Sequence, residues 1–259
     1  MMIGILYVIV IVLANTIGAI SGMGGGVLIK PIFDLINVHS VSEISFYATL
    51  AVFTMSIVST TRQIQSGQKA NWRIVFWVAT GAIMGGILGN ITLEYSLNRF
   101  ESEDKVQLMQ IILTVITLLF AFCFTKYDWP TAKLMRCKWY LVCGLCLGFL
   151  ASLLGIGGGP INVSLFMLMF SFKIKEATFY SICTIFFSQL AKLLTILFTT
   201  GVMQYDLSML YYIIPAAMIG GIIGAKLTHL LSEDKVTLVF QSVVICVLVI
   251  NCYNAYDLF

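Results

Sequence analysis

Two stretches decide how this chain reads: Ser21-Gly22-Met23-Gly24-Gly25-Gly26-Val27 and Leu154-Gly155-Ile156-Gly157-Gly158-Gly159-Pro160. Each interrupts a long apolar run, residues 1–36 and 139–172, and puts three adjacent glycines where a helix would otherwise continue. Three glycines in a row strongly disfavour helix. Each run therefore reads as a helix, an unwound glycine segment and a shorter second helix. Pro160 is placed to open the second of these short helices, because the N–H it lacks would be orphaned there anyway. Val27 holds the matching position in the first.

The surrounding composition sets the solvent. Of 259 residues, 59% are hydrophobic and 10% charged, against about a quarter charged in a soluble domain, and the mean hydropathy is +0.98. An all-α polytopic membrane protein is expected, forming a single membrane domain over 1–259. Uncharged runs place spans at 1–29, 44–61, 74–93, 106–125, 139–172, 177–191 continuing past Lys192, 207–225 and 236–256, about eight helices in all. Met1 to Ile29 has no basic segment and no small-residue cleavage site, so it reads as a retained span and not a signal peptide. A net charge of +3 without a basic face excludes nucleic acid as a partner. Seven cysteines, mostly within apolar runs, imply no disulfide framework.

Laying Gly22 on Gly155 and holding that register superposes the two glycine stretches, and with them Phe33 on Phe166 and Glu43-x-x-Phe46-Tyr47 on Glu176-x-x-Phe179-Tyr180. Small changes of offset bring Gly67 onto Gly201 and Gly85-Gly86-Ile87-x-Gly89 onto Gly220-Gly221-Ile222-x-Gly224. They also bring Ser102-Glu103-Asp104-Lys105-Val106 onto the identical run from Ser232 to Val236. The chain reads as two homologous halves, about 1–125 and about 139–259, joined by a loop over 126–138. Such repeats mark many secondary transporters.

Loop charge relates the halves to the bilayer. If each glycine-broken run is a hairpin that returns to its own side, three further crossings per half invert the second half. The cytoplasmic loops then hold Arg62, Lys69, Arg73, Lys126, Lys133, Arg136, Lys138, Lys173, Lys175, Lys226 and Lys235, and the outer loops only Arg99 and Lys105. Full crossing by the broken runs would put Lys173 and Lys175 outside. An inverted-topology repeat is expected, with both termini outside.

Several residues could carry function. Unwound glycine segments in a bilayer need protein or a water-filled cavity beside them, and the freed N–H groups with the positive end of a half helix suit an anion; close helix packing alone is the alternative. Lys192, with Gln189 and Thr195 one turn to either side, either binds an oxyanion or snorkels to the outer interface. Lys30 has Asp34 at i+4 and suggests an ion pair. Asn162, Asn15, Thr16 and Ser21 flank the glycine segments and could complete a polar site. Arg62 and Gln63 end the second span, where Arg62 serves as a positive-inside anchor. The Gly-Gly-x-x-Gly motifs read as helix packing, and Ser102 and Ser232 as N-caps. Cys143-x-x-Cys146 allows a thiol oxidoreductase but lacks a neighbouring cation. His39 and His229 have no partner at metal-site spacing, and no hydrolase, nucleotide-binding or other cofactor motif occurs. Asp34 sits near a helix end and Asp206 in a loop, so neither is an evident proton carrier.

Taken in order, the Ser21 and Leu154 glycine breaks and the later Gly-Gly-x-x-Gly motifs resemble the sulfite exporter TauE/SafE family, also called the 4-toluene sulfonate uptake permease family, across essentially the whole chain. The resemblance implies a plasma-membrane permease moving small anions, typically sulfur oxyanions or organosulfonates, without ATP, and not an enzyme. It points to Gly22, Gly24, Gly25, Gly26, Gly155, Gly157, Gly158, Gly159 and Pro160 as characteristic positions. With Val27 where the family pattern has proline, it stays open whether both breaks bind substrate or one gates. The expected substrate-binding set adds Asn162, Gln189 and Lys192, with no cofactor or metal. The expected partners are a small anion, the bilayer and, through apolar helix surfaces, a second copy of the chain. A passive anion channel shares these features and differs in kinetics.

Overall fold

The computed structural model describes residues 2–68, 70–100, 103–127, 129–199 and 201–257. Ten α-helices follow in order: α1 Met2–Ser21, α2 Gly26–Ile36, α3 Val41–Gln65, α4 Trp72–Arg99, α5 Glu103–Lys126, α6 Cys137–Leu153, α7 Pro160–Phe170, α8 Ile174–Phe198, α9 Leu210–Leu230 and α10 Glu233–Asp257. A 3-10 turn, Leu207–Met209, precedes α9. No strand occurs among the described residues. Seven helices are long and apolar enough to cross a membrane, while α2, α6 and α7 are shorter. The chain is a multi-pass all-helical membrane protein.

Both expected interruptions are present, and their backbones match. Gly22 and Gly155, then Gly24 and Gly157, adopt left-handed φ values of 73°, 67°, 77° and 68°, a region open to glycine at no steric cost. The short helices α2 and α7 have 11 residues each and end on left-handed residues, Asn37 and Ser171. α2 folds back along α1: Tyr7 stacks on Phe33 with ring centres 3.7 Å apart, and its hydroxyl meets His39 Nδ1 at 2.8 Å. In the later pair Tyr140 packs on Phe170 at 4.4 Å. Thus α1–α2 and α6–α7 are hairpins.

Details differ at helix ends. Gly25 already has helical φ and ψ, so α2 begins at Gly26, whereas the extended Gly159 delays α7 to Pro160. Gly26 is therefore the first residue of a helix and not part of an unwound segment, and it, not Val27, opens α2. α4 runs past the uncharged stretch 74–93 because its polar side chains are satisfied within the helix: Asn90 donates to Glu94 and Ser96 to the Thr92 carbonyl. The Ser232 cap holds, accepting from Lys235 N–H at 3.4 Å. The Ser102 cap lies outside the described residues.

Packing exchanges the first hairpin helices between the two series. α6 lies along α4, with Gly81, Gly85 and Gly89 against Leu141, Leu145 and Phe149, so the two run parallel. α1 lies along α9 in the same way, Gly220 and Gly224 meeting Val12 and Thr16. At Gly85 a Cβ would stand 2.1 Å from the Leu145 carbonyl oxygen, so these glycines let backbones touch, as expected of a packing motif. α3 and α8 instead cross antiparallel: Ser45 meets Lys192, and Phe53 stacks on Phe186 at 5.5 Å. α5 and α10 are antiparallel too, with Gln241 donating to the Thr125 carbonyl.

These directions sort the loops into two ends. One end gathers Lys173 with Glu233, the Asn71 N–H with the Tyr180 hydroxyl, and Ala132 with Leu168; it carries the basic loops. The opposite end gathers the Val41 N–H with Glu103, Ser42 with Tyr205, and, toward the end of α10, Asn254 with the Pro31 carbonyl of α2.

Candidate functional site

The two glycine breaks meet back to back at the crossing of α3 and α8. A Cβ on Gly24 would lie 3.6 Å from the Gly157 carbonyl oxygen, one on Gly158 2.9 Å from that of Met23, and one on Gly26 1.8 Å from that of Ile156. Val52 of α3 and Ile185 of α8 fill the sides of this contact, in a small apolar cluster with Ala19 and Met55. The turns are held by Gly24 N–H to the Gly18 carbonyl and Gly157 N–H to that of Ala151. Among the described residues, the N–H groups of Met23, Gly25, Ile156, Gly158 and Gly159 have no acceptor. Inside a bilayer such donors call for a partner.

Among the described residues, a charged cluster adjoins the second break only. Lys192, 1% exposed, donates from Nζ to Ser45 Oγ at 2.7 Å and to the Ser152 carbonyl at 3.3 Å. Its helix is long enough to cross with the lysine well inside, and the ammonium points into protein; it does not snorkel. Lys30, beside Gly155 with Cε 3.5 Å from where a Cβ would stand, pairs with Asp34 at 2.8 Å, both side chains 4% exposed. That pair neutralises itself, whereas both hydrogen-bond acceptors of Lys192 are uncharged. Beside it, Gln189 Oε1 and Ser152 Oγ are buried without a partner, as is Asn162 Nδ2 in the first turn of α7; each unmet group costs about 1–3 kcal/mol. The Gln189 carboxamide carbon would lie 3.3 Å from a Cβ on Gly157.

The first break has no such charges. In the register that superposes the glycine stretches, the counterparts of Lys30, Asp34 and Lys192 are Val163, Met167 and Ser59. What packs there is neutral: the Ser181 hydroxyl donates to the Gly22 carbonyl at 2.5 Å, and Thr178 closes on Gly22. Two adjoining cavities of about 220 Å³ and 280 Å³ open beyond it at the basic end, lined by Arg62, Gln63, Ser66, Lys175, Lys226, Thr228 and His229. At the opposite end an aromatic layer closes over the cluster. Phe46 stacks on Tyr205 at 4.3 Å, His39 lies edge-on to Tyr47, and the Tyr47 hydroxyl donates to the Asp206 carbonyl.

The sulfite exporter TauE/SafE family pattern matches residues 7–250. The chain belongs to that family. Among relatives of this TauE/SafE protein, a probable membrane transporter protein of Methanocaldococcus jannaschii is 25% identical over 92% of this chain and 91% of its own length. A probable membrane transporter protein of Bacillus subtilis is 22% identical over 97% and 98%. No solved structure matches. Family and relatives make this TauE/SafE chain a membrane transporter.

Of the residues singled out in the sequence, Gly24, Gly26, Gly157 and Gly158 meet across the two breaks, with Gln189 beside Gly157, whereas Gly22 faces Thr178, Gly25 faces Asn15, Gly155 faces Ser45 and Lys30, and Gly159 and Pro160 open α7; Lys192 meets Ser45 and the Ser152 carbonyl. Asn162 lies buried in the first turn of α7. The Lys30–Asp34 pair forms as expected, but Asp34 is buried against Lys30 and not at a free helix end. Asn15 stays at the first break, its Oδ1 over Gly25 and without a hydrogen-bond partner, whereas Thr16 turns away and donates to the Gly220 carbonyl. Cys143 is buried and Cys146 exposed, one turn apart, so they share no pocket. Sequence reasoning missed Ser45, the acceptor for Lys192, because the pair spans 147 positions. It also missed Lys175, Lys226, Thr228 and His229 as cavity walls; their shared loop side was the one available signal.

Proposed function

We propose that this chain is a secondary transporter for small anions, most readily sulfur oxyanions or organosulfonates, cycling by alternating access between two inverted repeats in the plasma membrane. The observation that carries the reading is the buried cluster of Lys192, Lys30, Ser45 and Gln189 against a glycine break whose N–H groups lack acceptors. An oxyanion there would take hydrogen bonds from Ile156, Gly158 and Gly159 N–H, from Asn162, and from a lysine ammonium, and its charge would balance Lys192. Backbone and ammonium donors arranged around one point replace a water shell without reorganising. No metal set competes with this use: among the described residues no group of three metal-binding side chains occurs.

The antiparallel crossing of α3 and α8 supports inversion of the halves, and the clustering of basic loops at one end supports that end as cytoplasmic, which leaves both termini outside. In this arrangement the second break binds the anion and the uncharged first break gates it. The cavity at the basic end and the aromatic layer at the other fit a form closed to the outside. The test is uptake of radiolabelled sulfite, thiosulfate and a short organosulfonate by proteoliposomes holding the purified protein. Saturable flux of at least one, lost in Lys192→Met, supports the reading; no flux of any, from folded protein, refutes the substrate class.

A further inference from the structure

The basic end holds a second polar region that the buried cluster does not use. Arg62, Gln63 and Ser66 close α3, Lys175 lies in the first turn of α8, and Lys226, Thr228 and His229 lie in the last turns of α9. They line the two cavities of about 220 Å³ and 280 Å³, which share Ser66 and His229. Among the described residues no carboxylate lines either cavity, and Arg62, Lys175 and Lys226 form no ion pair. Three cations brought together from three helices repel unless a counter-charge sits between them. The floor is built: Gln63 and Thr228 are buried, Gln63 donating to Ser59 and Thr228 to the Ala19 carbonyl. Ala19 precedes the first glycine break by one turn, and Ser59 stands where the other half has Lys192. The vestibule thus abuts the break proposed to gate.

We propose that this vestibule is a recruiting site for small oxyanions, separate from the Lys192 cluster, in which Arg62, Lys175 and Lys226 supply charge and Gln63 and His229 hydrogen bonds. It rests on the anion-transport reading for its purpose but not for its existence. Converging cations raise the local anion concentration, and the floor sets the anion beside the gate. The same chemistry suits a free oxyanion or a lipid phosphate, so the experiment must separate them.

The probe is a cysteine at the shared wall, Ser66→Cys, in purified protein held in phosphatidylcholine nanodiscs. Modification at position 66 by a sulfonate-bearing and by a trimethylammonium-bearing methanethiosulfonate reagent is followed by peptide mass spectrometry. The anionic reagent should react about tenfold faster, and the preference should fall toward unity when Arg62→Gln and Lys226→Gln are added. Thiosulfate should slow the reaction saturably, and still do so in a Lys192→Met background. Equal rates for the two reagents, or no protection by thiosulfate, would overturn the proposal. Protection by added phosphatidylglycerol but not by thiosulfate would also overturn it, assigning the cations to lipid headgroups. Because modification is read and not flux, a chain that transports nothing would count against the proposed function and leave this site standing.

Discussion

Gly26 and Gly159 occupy the same place in the two halves, yet the structure demands opposite outcomes when each becomes alanine. Neither position needs a left-handed backbone, since Gly26 opens a helix and Gly159 is extended at φ 179°, so the difference is steric alone. A methyl on Gly26 would stand 1.8 Å from the Ile156 carbonyl oxygen, far inside the 3.4 Å at which ordinary contact begins. That oxygen belongs to the opposing glycine break and cannot swing aside as a side chain can. Overpacking of this kind costs about 1–3 kcal/mol, and a rigid backbone neighbour places it at about 3 kcal/mol. On Gly159 the methyl meets only the Ile156 Cδ1 at 3.3 Å, the far end of a flexible side chain. The loss of unfolded-state freedom then makes Gly159→Ala neutral to stabilising by about 0.5 kcal/mol. Thermal unfolding in one detergent reads both. At about 2–4 °C per kcal/mol for a chain of this size, Gly26→Ala should lower Tm by about 6–12 °C and Gly159→Ala should leave it or raise it slightly. Equal shifts, or a Gly26→Ala protein as stable as the parent, would refute the contact between the breaks.

Lys192→Met should keep the fold, because an apolar side chain of similar length replaces a buried charge, and should cut anion flux about 100-fold, the loss of about 2–3 kcal/mol expected for a charged hydrogen bond; flux assays beside circular dichroism check both. Asp34→Asn strands Lys30 as a buried unpaired cation and should cost about 3–5 kcal/mol, whereas Lys30→Met with Asp34→Leu should recover most of that stability, as read by thermal unfolding. Gly85→Leu should abolish folded protein on size-exclusion chromatography, since even a Cβ there would lie 2.1 Å from the Leu145 oxygen. Gly67→Ala, with nothing within 4 Å and φ +90°, should cost only about 1–2 kcal/mol of backbone strain. Cys146→Ser, at an exposed position, should leave flux unchanged; its loss would revive thiol chemistry.

The hairpins were legible because a glycine break is a local backbone demand: Gly22, Gly24, Gly155 and Gly157 all need positive φ, and no other residue type in a row of three does this in an apolar run. The gathering of Arg62, Lys173 and Lys226 at one end was legible because their loops share the basic charge expected of one membrane side. Helix ends were less so. Glu94 looked like the end of a span and is instead satisfied within α4 by Asn90. The break boundary at Gly26 turned on one dihedral of Gly25, which composition does not encode. In the site, Lys192 stood out as a lysine in an apolar helix, and the i+4 spacing gave its neighbour Lys30 a partner. Ser45, the residue that makes Lys192 a buried donor, is one serine among many in α3 and acquires its role only when α3 and α8 cross. The cavity walls at the basic end come from three helices, and Arg62 there is indistinguishable in sequence from a plain interface anchor.

The central claim is a carrier that exposes one buried anion site alternately to the two sides. It is tested most directly by counterflow: proteoliposomes preloaded with unlabelled thiosulfate are diluted into a trace of labelled thiosulfate, for the parent protein and for Lys192→Met. The account predicts transient accumulation of label above equilibrium in the parent, saturating with internal thiosulfate, and none in Lys192→Met. Label that only equilibrates, at a rate linear in concentration and indifferent to preloading, would mean a passive pore and contradict it.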